Sequence, residues 1–532
     1  MIDPHKRRKE KSTRNFFSLY DKFYNLTAFL MVVSIWTVTP PYAMAQDKKK
    51  INILNADNLR FDRKLGDVRR LLGNVRLEHD NTYMNCDSAY LYQNTNEVEA
   101  YGHIFITRGD TLELYGNYLK YSGDTKLAEL RGDVKLIDKE TVLTTDYLDF
   151  DLNNDLGYYH NMGHIFDGEN NLSSMNGIYY SQTGLFQFQD SVVVVNPEYV
   201  IYADTMDYYT ETKITSFFGP TEIIGDSSYI YCEYGWFDTM NDISRFSKNA
   251  ILIDRDQTIK GDSLFYDKNN GIGQAYGHVA FIDTAQNIIL KGNEGYFQRE
   301  PEYSMLTDSA LFIQVLDEND SLYLHADTLQ SKLDSTGQHK IMSAYYAARV
   351  FSEDLQARCD SLSYSFADSV IRFYGEPIIW TGETQLTSDF TLLRTRNRKA
   401  EKMELYGSAF IISEEDTMHY NQIKGKNMVG FFIDNKIYKI DVSGNGQTIY
   451  FPVEETEIVG QNFAESSDII LYIKNNRIHR IKLINEPDGI LKPTFEIRSE
   501  ETRLEGFNWQ GHKRPENVLD LFRKETEEIP KE

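Results

Sequence analysis

A six-residue phrase built around glycine returns along the chain at a nearly constant interval, and this repeat limits the possible folds more than any other feature. The phrase occupies residues 72–77, 101–106, 131–136 and 276–281. The first four anchoring glycines are 29, 30 and 31 residues apart: Gly73, Gly102, Gly132 and Gly163. A similar interval is kept later by Gly219, Gly277, Gly375 and Gly407, and units without the glycine fit near Asp190, Lys248, Asp308 and Ala347. Because a unit of this size buries its apolar face only against its neighbours, the period predicts an array of about a dozen units.

Each unit of about 30 residues carries the pattern of strands. Apolar and polar residues alternate in the glycine phrase, as in Val75, Arg76 and Leu77, which is the period of a half-buried strand. A second phrase, as in Gly261–Tyr266, predicts another strand, and turn formers such as Ser122–Asp124 separate the two. We therefore predict an all-β repeat array with two or three strands per unit, in which the glycine allows a bend, a bulge or a close approach of backbone.

Two regions leave the organisation of the array open. The irregular stretch Asp317–Lys340 is the best candidate for a break, so one long stack and two shorter stacks are both compatible with the sequence. A helical pattern is found only at Pro515–Glu528, with Val518, Leu519 and Phe522 on one side. This tail either caps the last repeat or contacts a partner, and a cap would shield an exposed sheet edge.

The N-terminus has the order of a secretory signal peptide. Basic residues precede an apolar run, Leu26–Val38, which is followed by the small-residue triplet Ala43–Ala45. The run has 13 residues, fewer than the roughly 20 of a membrane-spanning helix, so cleavage after Ala45 is favoured over a retained anchor. We predict a signal peptide at 1–45, repeats at 46–330, further β-rich repeats at 331–500 and a tail with a short helix at 501–532. The mature chain is then expected in the periplasm.

The charge of the chain argues against nucleic acid as a partner. The full sequence carries a formal net charge of −24, and removing residues 1–45, with a net charge of +4, leaves about −28. Such a surface repels phosphate backbones, and no basic stripe offers the counterion release on which nucleic-acid binding depends. The content of 41% hydrophobic and 13% aromatic residues is sufficient for a packed core.

The three cysteines occupy equivalent places in different units. Cys86, Cys232 and Cys359 each precede an acidic residue, at a position where other units have Thr145, Ala203, Gly261 or Ala326. The position therefore requires a small side chain. Strands several units apart do not meet within the reach of a disulfide, so we predict three free, structural cysteines.

No residue pattern supports catalysis or a metal centre. The recurrent acids could line up along the array, but they are flanked by Ser, Thr and Leu rather than by further oxygen ligands: Asp87, Asp146, Asp204, Asp262, Asp327, Asp360 and Asp389. We interpret them as residues that order the strands through backbone hydrogen bonds, and His103, His164 and His278 as solvated strand residues. Asp151, Asn153 and Asp155 form a polar turn, because Leu156 stands where a calcium loop needs glycine. The chain is predicted to be no enzyme and to hold no cofactor.

The repeats from about Leu71 to Ile412 resemble those of the OstA/LptA group, whose organic-solvent-tolerance-like domain serves lipopolysaccharide transport. The resemblance is carried by the glycine strands at Leu72–Leu77 and Arg131–Leu136, by the second strands at Gly261–Leu264 and Ala326–Leu329, and by the signal peptide. It covers about two thirds of the chain. Unlike the family's translocon members, the chain has no large C-terminal barrel after the repeats, and it has more units than a compact single-domain member needs.

The resemblance implies a stacked antiparallel β-jelly-roll whose apolar interior shelters the acyl chains of lipopolysaccharide or lipooligosaccharide. Implied partners are other jelly-roll transport proteins and an outer-membrane translocon, joined by strand-edge pairing. The groove candidates are the inward positions of the glycine strands and of two second strands: Val75, Leu77, Ile104, Ile106, Val134, Leu136, Ile165, Val279, Leu264 and Leu362. A groove wall and a packed core have the same residues. The alternative is therefore a secreted structural or adhesive β-repeat protein with a filled core and no lipid.

Overall fold

The structure is a computed structural model that describes residues 49–62, 68–109, 112–168, 170–317, 320–396, 399–454, 457–474 and 477–523. The predicted signal peptide at 1–45 lies outside these residues. Within them, no helix has the length and apolar character needed to cross a membrane. The described residues from Asn52 onward form one compact unit.

Strands make up nearly all of the described chain, as the alternating pattern predicted. The first eighteen are β1 Asn52–Asn55, β2 Asn58–Asp62, β3 Val68–His79, β4 Thr82–Tyr92, β5 Glu97–Arg108, β6 Leu112–Ser122, β7 Leu127–Asp138, β8 Thr141–Asp151, β9 Leu156–Asp167, β10 Asn170–Tyr180, β11 Leu185–Val195, β12 Tyr199–Tyr209, β13 Ile214–Gly225, β14 Ser228–Asp238, β15 Ile243–Asp254, β16 Gln257–Asp267, β17 Ile272–Asp283 and β18 Ile288–Gln298.

The remaining strands are β19 Tyr303–Asp317, β20 Asp320–Leu333, β21 Lys340–Tyr345, β22 Ala348–Phe351, β23 Gln356–Cys359, β24 Ser361–Ser365, β25 Val370–Tyr374, β26 Ile378–Thr381, β27 Thr384–Thr387, β28 Phe390–Arg396, β29 Lys399–Glu414, β30 Tyr420–Ile433, β31 Lys436–Tyr450, β32 Val453–Glu454, β33 Glu457–Ile458, β34 Gly460–Lys474, β35 Arg477–Ile484 and β36 Asp488–Pro493. Four 3-10 helices follow: η1 Thr494–Glu496, η2 Ser499–Glu501, η3 Gly511–Lys513 and η4 Val518–Phe522.

Thirty-four of the described strands belong to one antiparallel sheet. From β3 to β20 each strand pairs with the strand before it and the strand after it. The pairing continues across Asp317–Lys340, since β19 pairs with β20 and β20 pairs with both β21 and β22. The described part of this stretch therefore keeps the array together where a break had been the best candidate.

A corner divides each long strand into two halves. In β3 the register with β4 shifts between Leu72 and Val75, and the two residues between them, Gly73 and Asn74, have φ of 77° and 45°. Paired positive φ values recur at the units expected to have lost their glycine: Asp190–Ser191, Lys248–Asn249, Asp308–Ser309 and Tyr346–Ala347. Since L-residues avoid this region, the repeated pair marks an obligatory bend. The predicted positions of these units are confirmed.

The fourth anchoring glycine was assigned wrongly. The corner of β9 is formed by Asn161 and Met162, with φ of 68° and 78°, and Gly163 lies just beyond it. A Cβ on Gly163 would stand 2.4 Å from Cε2 of Tyr159. This glycine therefore makes room for a buried ring, and the bend is made by a non-glycine pair.

The recurrent acids stabilise the corners through side chains. The Nδ1 atom of His103 lies 2.8 Å from Oδ2 of Asp87, and Nδ1 of His278 lies 3.0 Å from Oδ2 of Asp262. Some corner aspartates also bond through their backbone, as the amide of Asp389 does. These acids are thus structural residues, and they act through hydrogen bonds of their side chains as well as of their backbone.

The two strand halves form two walls whose inward side chains face each other. The half of β3 after its corner and the strand halves that pair with it form wall 1. The half of β3 before its corner and the strand halves that pair with it form wall 2. In β3, Val75 and Leu77 point inward from wall 1 and Leu71 points inward from wall 2, and all three are fully buried. The hydrophobic core is the space between the walls. This arrangement is the predicted all-β repeat array.

The C-terminal segment 494–523, which we call the strap, lies along the outer face of wall 1 from β34 back to β19. Four fully buried glutamines on that face bind the strap. Gln461, Gln422 and Gln385 donate to its backbone carbonyls, and Oε1 of Gln356 accepts from the guanidinium of Arg514. Gln422 Nε2 donates to Thr502 O at 2.8 Å, and its Oε1 accepts from Leu504 N at 2.8 Å. Each glutamine thus replaces hydrogen bonds that water would otherwise make with the strap.

Apolar side chains fix both ends of the strap. Leu504 joins a buried cluster with Ile412 and Ile449, and Leu521 of η4 is buried against Leu311 and Ile313. The expectation that the tail caps the last repeat was wrong, because η4 packs on strands in the middle of the array. The predicted apolar side was also wrong in part, since Leu521 is buried whereas Leu519 is 80% exposed.

A first prediction concerns the corners. Gly102→Ala would place a Cβ 2.3 Å from Oδ2 of Asp87 at φ +75°, whereas Gly109→Ala meets no atom within 4 Å at φ +61°. The backbone cost is about 1–2 kcal/mol in both, and only Gly102→Ala adds a steric clash. Urea unfolding should show a larger loss of the free energy of unfolding for Gly102→Ala. Equal losses would contradict the role of the corner contact.

A second prediction compares two leucines of η4. Leu521→Ala should lower the free energy of unfolding by about 2–5 kcal/mol, because it leaves a cavity beneath the strap. Leu519→Ala, the matched control on the exposed side, should change it by less than about 0.5 kcal/mol. Denaturant titration of both variants tests this. Similar values for the two would mean that the strap does not depend on its buried face.

Candidate functional site

All ten predicted groove positions point into the space between the walls, and none is more than 7% exposed. Leu77, Ile106, Leu136 and Ile165 belong to one row of cross-strand partners, in which they alternate with Met84, Leu114 and Leu143. A second row lies nearer the corners, and each of its members is the cross-strand partner of a small residue. This row contains Val75, Ile104, Val134 and Val279. Leu264 and Leu362 lie on wall 2 in later parts of the array.

The interior between β3 and β13 is filled. Its inward leucines, isoleucines and aromatic rings are nearly all fully buried, including Phe150, Phe186 and Phe217. The small-residue position next to the corners holds Cys86, Gly116 and Thr145, which leave room for the facing Val75, Ile104 and Val134. In this section the predicted groove residues are therefore core residues in the conformation described.

The interior loosens between β13 and β19. The same wall 1 row continues through Ile223, Ile230, Leu252, Ile259, Phe281 and Leu290. All six are half-buried, whereas Val194 and Ile201 of the preceding strands are buried. We call these six residues the open row. They form an apolar inner surface that solvent reaches in part, and the sequence prediction did not include any of them.

Small residues on wall 2 account for part of this loosening. In the wall 2 row that contains Leu119, Leu130 and Leu148, three of the eleven strands β3–β13 have a small residue: Ala89, Ala100 and Gly177. Three of the five strands β14–β18 have one: Gly235, Ala275 and Gly295. A Cβ on Gly295 would lie 3.5 Å from its nearest neighbours, which is ordinary contact. A larger residue at this position would therefore not clash through its Cβ. The effect of the glycine is to leave space opposite the open row. The higher frequency of small residues at these positions was a signal that the sequence offered.

The free edges of the two walls are joined along the filled section by polar contacts, which we call the latches. Each connects residues 41 to 47 positions apart, at the end of a wall 1 half and the end of a wall 2 half. The latches are His79–Tyr121, Asp80–Lys126, Arg108–Asp155, Asp138 with Tyr179 and Ser181, and Asp167 with Tyr208 and Lys213.

Two of the latch carboxylates, Asp138 and Asp167, are buried, and Oδ2 of each is hydrogen-bonded across the seam between the edges, whereas Oδ1 of Asp138 is buried without a partner among the described residues. Oδ2 of Asp138 accepts from Tyr179 at 2.7 Å and from Ser181 at 2.6 Å, and Oδ2 of Asp167 accepts from Lys213 at 2.6 Å. Burial and the neighbouring carboxylate raise the pKa of Tyr179 above its usual range, so its phenol remains a donor. A buried carboxylate is costly without such partners, and the latches therefore favour a closed seam.

The latches end where the interior loosens. Between Ser228 and Gln298, where every residue is described, no hydrogen bond or ion pair joins the two edges. The last latch, at Asp167, borders a small cavity of about 20 Å³ between the walls, room for about one water molecule. Its lining includes Leu172 and Ile201 from wall 1 and Tyr208 and Phe237 from wall 2. This cavity lies between the filled section and the open row.

The three cysteines are unpaired, as predicted. Burial raises the pKa of the Cys86 thiol to about 12, that of Cys232 to about 11 and that of Cys359 to about 12. The thiols are therefore inert core groups near neutral pH. The described residues contain no group of three or more metal-ligating side chains. Asp151 accepts from the amides of Asn153 and Asn154, which confirms the polar turn.

Thiol labelling over a pH series tests the buried cysteines. In the folded chain the thiolates should form only as the pH approaches 11–12, whereas the unfolded chain should react from about pH 9. Because the folded pKa values are raised, their contribution to stability is present below pH 9 and is lost as pH rises towards 12. Rapid thiol labelling of the folded chain at pH 8 would contradict the burial of these cysteine side chains.

The latches can be tested by removing one hydroxyl. Tyr179→Phe keeps the ring but leaves Oδ2 of Asp138 without one donor, and should lower the free energy of unfolding by about 1.5–3 kcal/mol. Tyr180→Phe is the matched control, since its hydroxyl bonds Gln187 away from the seam. Urea unfolding measures the free energy of unfolding of both variants. Equal decreases for the two would show that the latch does not stabilise the fold.

Residues 48–204 match the OstA-like protein family, which confirms the resemblance for that part of the chain. Among solved structures, the chain is similar to LptH, the LptA-homologous periplasmic component of the conserved lipopolysaccharide transport device from Pseudomonas aeruginosa. The two are 14% identical, with a TM-score of 0.21, over 26% of this chain and 95% of that one. The extracellular domain of a putative one-component system from B. thetaiotaomicron is 8% identical, with a TM-score of 0.10, over 84% of this chain and 99% of that one. No curated protein matches the sequence.

Proposed function

We propose, from the OstA-like family that residues 48–204 match, that this chain is a periplasmic lipid-binding conduit protein. It shelters the acyl chains of lipopolysaccharide or lipooligosaccharide in the space between its walls during transport to, and assembly of, the outer membrane. The observation that carries the proposal is the open row, where a continuous apolar surface becomes half-exposed inside an otherwise filled array. Such a surface is unusual in a soluble protein without an apolar ligand.

The physical gain comes from the removal of acyl chains from water. Each buried methylene contributes about 0.8 kcal/mol, and the open row offers aliphatic and aromatic side chains over six consecutive strands. The saccharide and phosphates would remain in solvent. With a formal net charge of −24 for the full chain, attraction of the phosphates by the outer surface is not part of the proposal. Binding by burial needs no catalysis, so the chain is proposed to be no enzyme and to need no cofactor.

Strand edges supply the proposed partner contacts. The short strands β1 and β2 lie beside β3 at one end of the ladder, and β35 and β36 lie beside β34 at the other. An unpaired edge can accept a strand from another chain. Other jelly-roll transport proteins and an outer-membrane translocon are proposed to bind there, which would place the chain in the periplasm and bring it to the outer membrane.

One observation favours a second function. The filled section from β3 to β13 has the packed interior of a structural or adhesive β-repeat protein with no lipid ligand. That alternative predicts that the open row is a packing irregularity with no affinity for acyl chains. The two functions therefore differ in whether the space beside Phe281 and Leu290 binds lipid.

A leucine placed in this space tests the proposal. Gly295→Leu adds an isobutyl group opposite the open row, and should weaken binding of purified lipopolysaccharide by about tenfold or more, since it occupies the volume of several methylenes. Glu294→Leu adds the same side chain to the opposite face of β18, where Glu294 is exposed. Displacement of a fluorescent acyl probe gives the dissociation constants.

The control should bind as the unchanged protein does. If Gly295→Leu also binds with unchanged affinity, lipid does not enter between the walls at this place. If the unchanged protein does not bind lipopolysaccharide at all, the structural alternative holds.

A further inference from the structure

We propose that the seam closed by the latches is a lateral gate, which opens to admit acyl chains into the filled section between β3 and β13. This inference rests on the proposed function, because a gate is meaningful only if lipid binds between the walls. It adds that the filled interior is one of two states of the same space. The residues that control the change are those of the latches, from Asp80–Lys126 at one end to Asp167–Lys213 at the other.

The location of the latches supports a gate. All of them join the edge of wall 1 to the edge of wall 2, opposite the corners, so that breaking them separates the walls without breaking the strand pairing within either wall. Within each wall the hydrogen bonds run from strand to strand along the array. The described contacts across the seam are made by side chains, those of the latches and the exposed ion pair of Lys139 with Glu211, which can exchange their partners for water.

The corners provide the hinge. At each corner the ladder shifts register, as between Arg131 and Val134, and the two residues there have left-handed backbone conformations. The paired halves on either side remain regular strands. A small rotation at successive corners would open the seam along its length, and the exposed links between Asp87 and His103 at the corner would move with it.

The path of the apolar rows gives the gate a direction. The row of Leu136 and Ile165 runs without interruption into the open row at Ile223. At the boundary the cavity next to Asp167 is lined by residues of both walls. An acyl chain in the open row would therefore meet the Asp167 latch first, and successive release of the latches would extend its path towards β3.

Cys86 reports on the gate. It is buried in the filled section, behind the His79–Tyr121 and Asp80–Lys126 latches, whereas Cys232 is buried in β14, beyond the last latch. The double variant Tyr121→Phe, Lys126→Met removes the hydroxyl that meets His79 and the ammonium group that meets Asp80, and keeps the apolar parts of both side chains. Labelling of Cys86 by a small maleimide in the folded protein should become faster by about tenfold or more, with that of Cys232 unchanged.

Tyr118→Phe is the matched control, because Tyr118 lies on the same strand but on the outer face. Cys86 should react in it as in the unchanged protein. Circular dichroism and the urea midpoint show whether each variant is folded before labelling. Equal labelling of Cys86 in a folded double variant and in the control would overturn the gate.

A second measurement links the gate to lipid. A photoreactive residue at Val134 should capture added lipopolysaccharide more efficiently when Tyr121→Phe and Lys126→Met are present. In the variant Asp80→Cys, Lys126→Cys, with the three native cysteines replaced by alanine, a short bis-maleimide bridge should abolish that capture. If the efficiency of lipopolysaccharide capture at Val134 is the same in the unchanged protein, the double variant and the bridged variant, the gate is overturned, even if Cys86 becomes reactive in the double variant.

A probe at Phe281 separates this result from failure of the proposed function. Phe281 lies in the open row, which none of these changes touches. Capture at Phe281 in every variant, with no response at Val134, removes the gate and leaves the function standing. Absence of capture at Phe281 in the unchanged protein contradicts the proposed function itself.

Discussion

The left-handed backbone conformation at the middle of every second long strand is the constraint on which the structure depends. An antiparallel meander of this length without corners would be an open sheet with one apolar face exposed to solvent, because alternation places the apolar side chains of every strand on the same face. The corner at Gly73–Asn74, repeated with varied residues along the array, folds every strand into two walls and lets one face of the sheet bury itself. It also fixes which residues become inward, since the register shift carries the alternation from one half to the other.

The second property of the array is that its interior is filled unevenly. In the filled section, large side chains meet between walls whose edges are latched by buried aspartates such as Asp138 and Asp167. In β14–β18 the latches stop, and small residues become more frequent in the wall 2 row, where three of five strands contribute Gly235, Ala275 and Gly295. Loss of contact area and loss of cross-seam hydrogen bonds therefore coincide. Both changes lower the cost of separating the walls in the section where the open row is found.

The sequence contained the local information. The positions of the corners followed from the period even where glycine was lost, as at Asp308, because a bend is required once in every unit. The ten groove candidates were placed on the inward side by alternation alone, and their lipid-binding role stays a prediction. Gly163 was misassigned because a glycine that accommodates Tyr159 and a glycine that makes a corner look the same in a sequence.

The long-range contacts could not be predicted in the same way. A latch joins residues more than one unit apart, so its partner depends on the stagger of the two walls, which no single unit encodes. The strap was missed for a similar reason, since Gln356 meets Arg514 across 158 positions and nothing near either residue indicates the other. Its glutamines resemble ordinary outward residues until the segment that covers them is placed.

The most direct test of the central claim is capture of lipid at adjacent positions of one strand. Photoreactive residues at Phe281, which points into the open row, and at Ala280, which points outward, are compared in cells that make lipopolysaccharide. The account predicts lipid adducts at Phe281 and none at Ala280. Equal capture at the two positions, or no capture at Phe281, would contradict an interior lipid path.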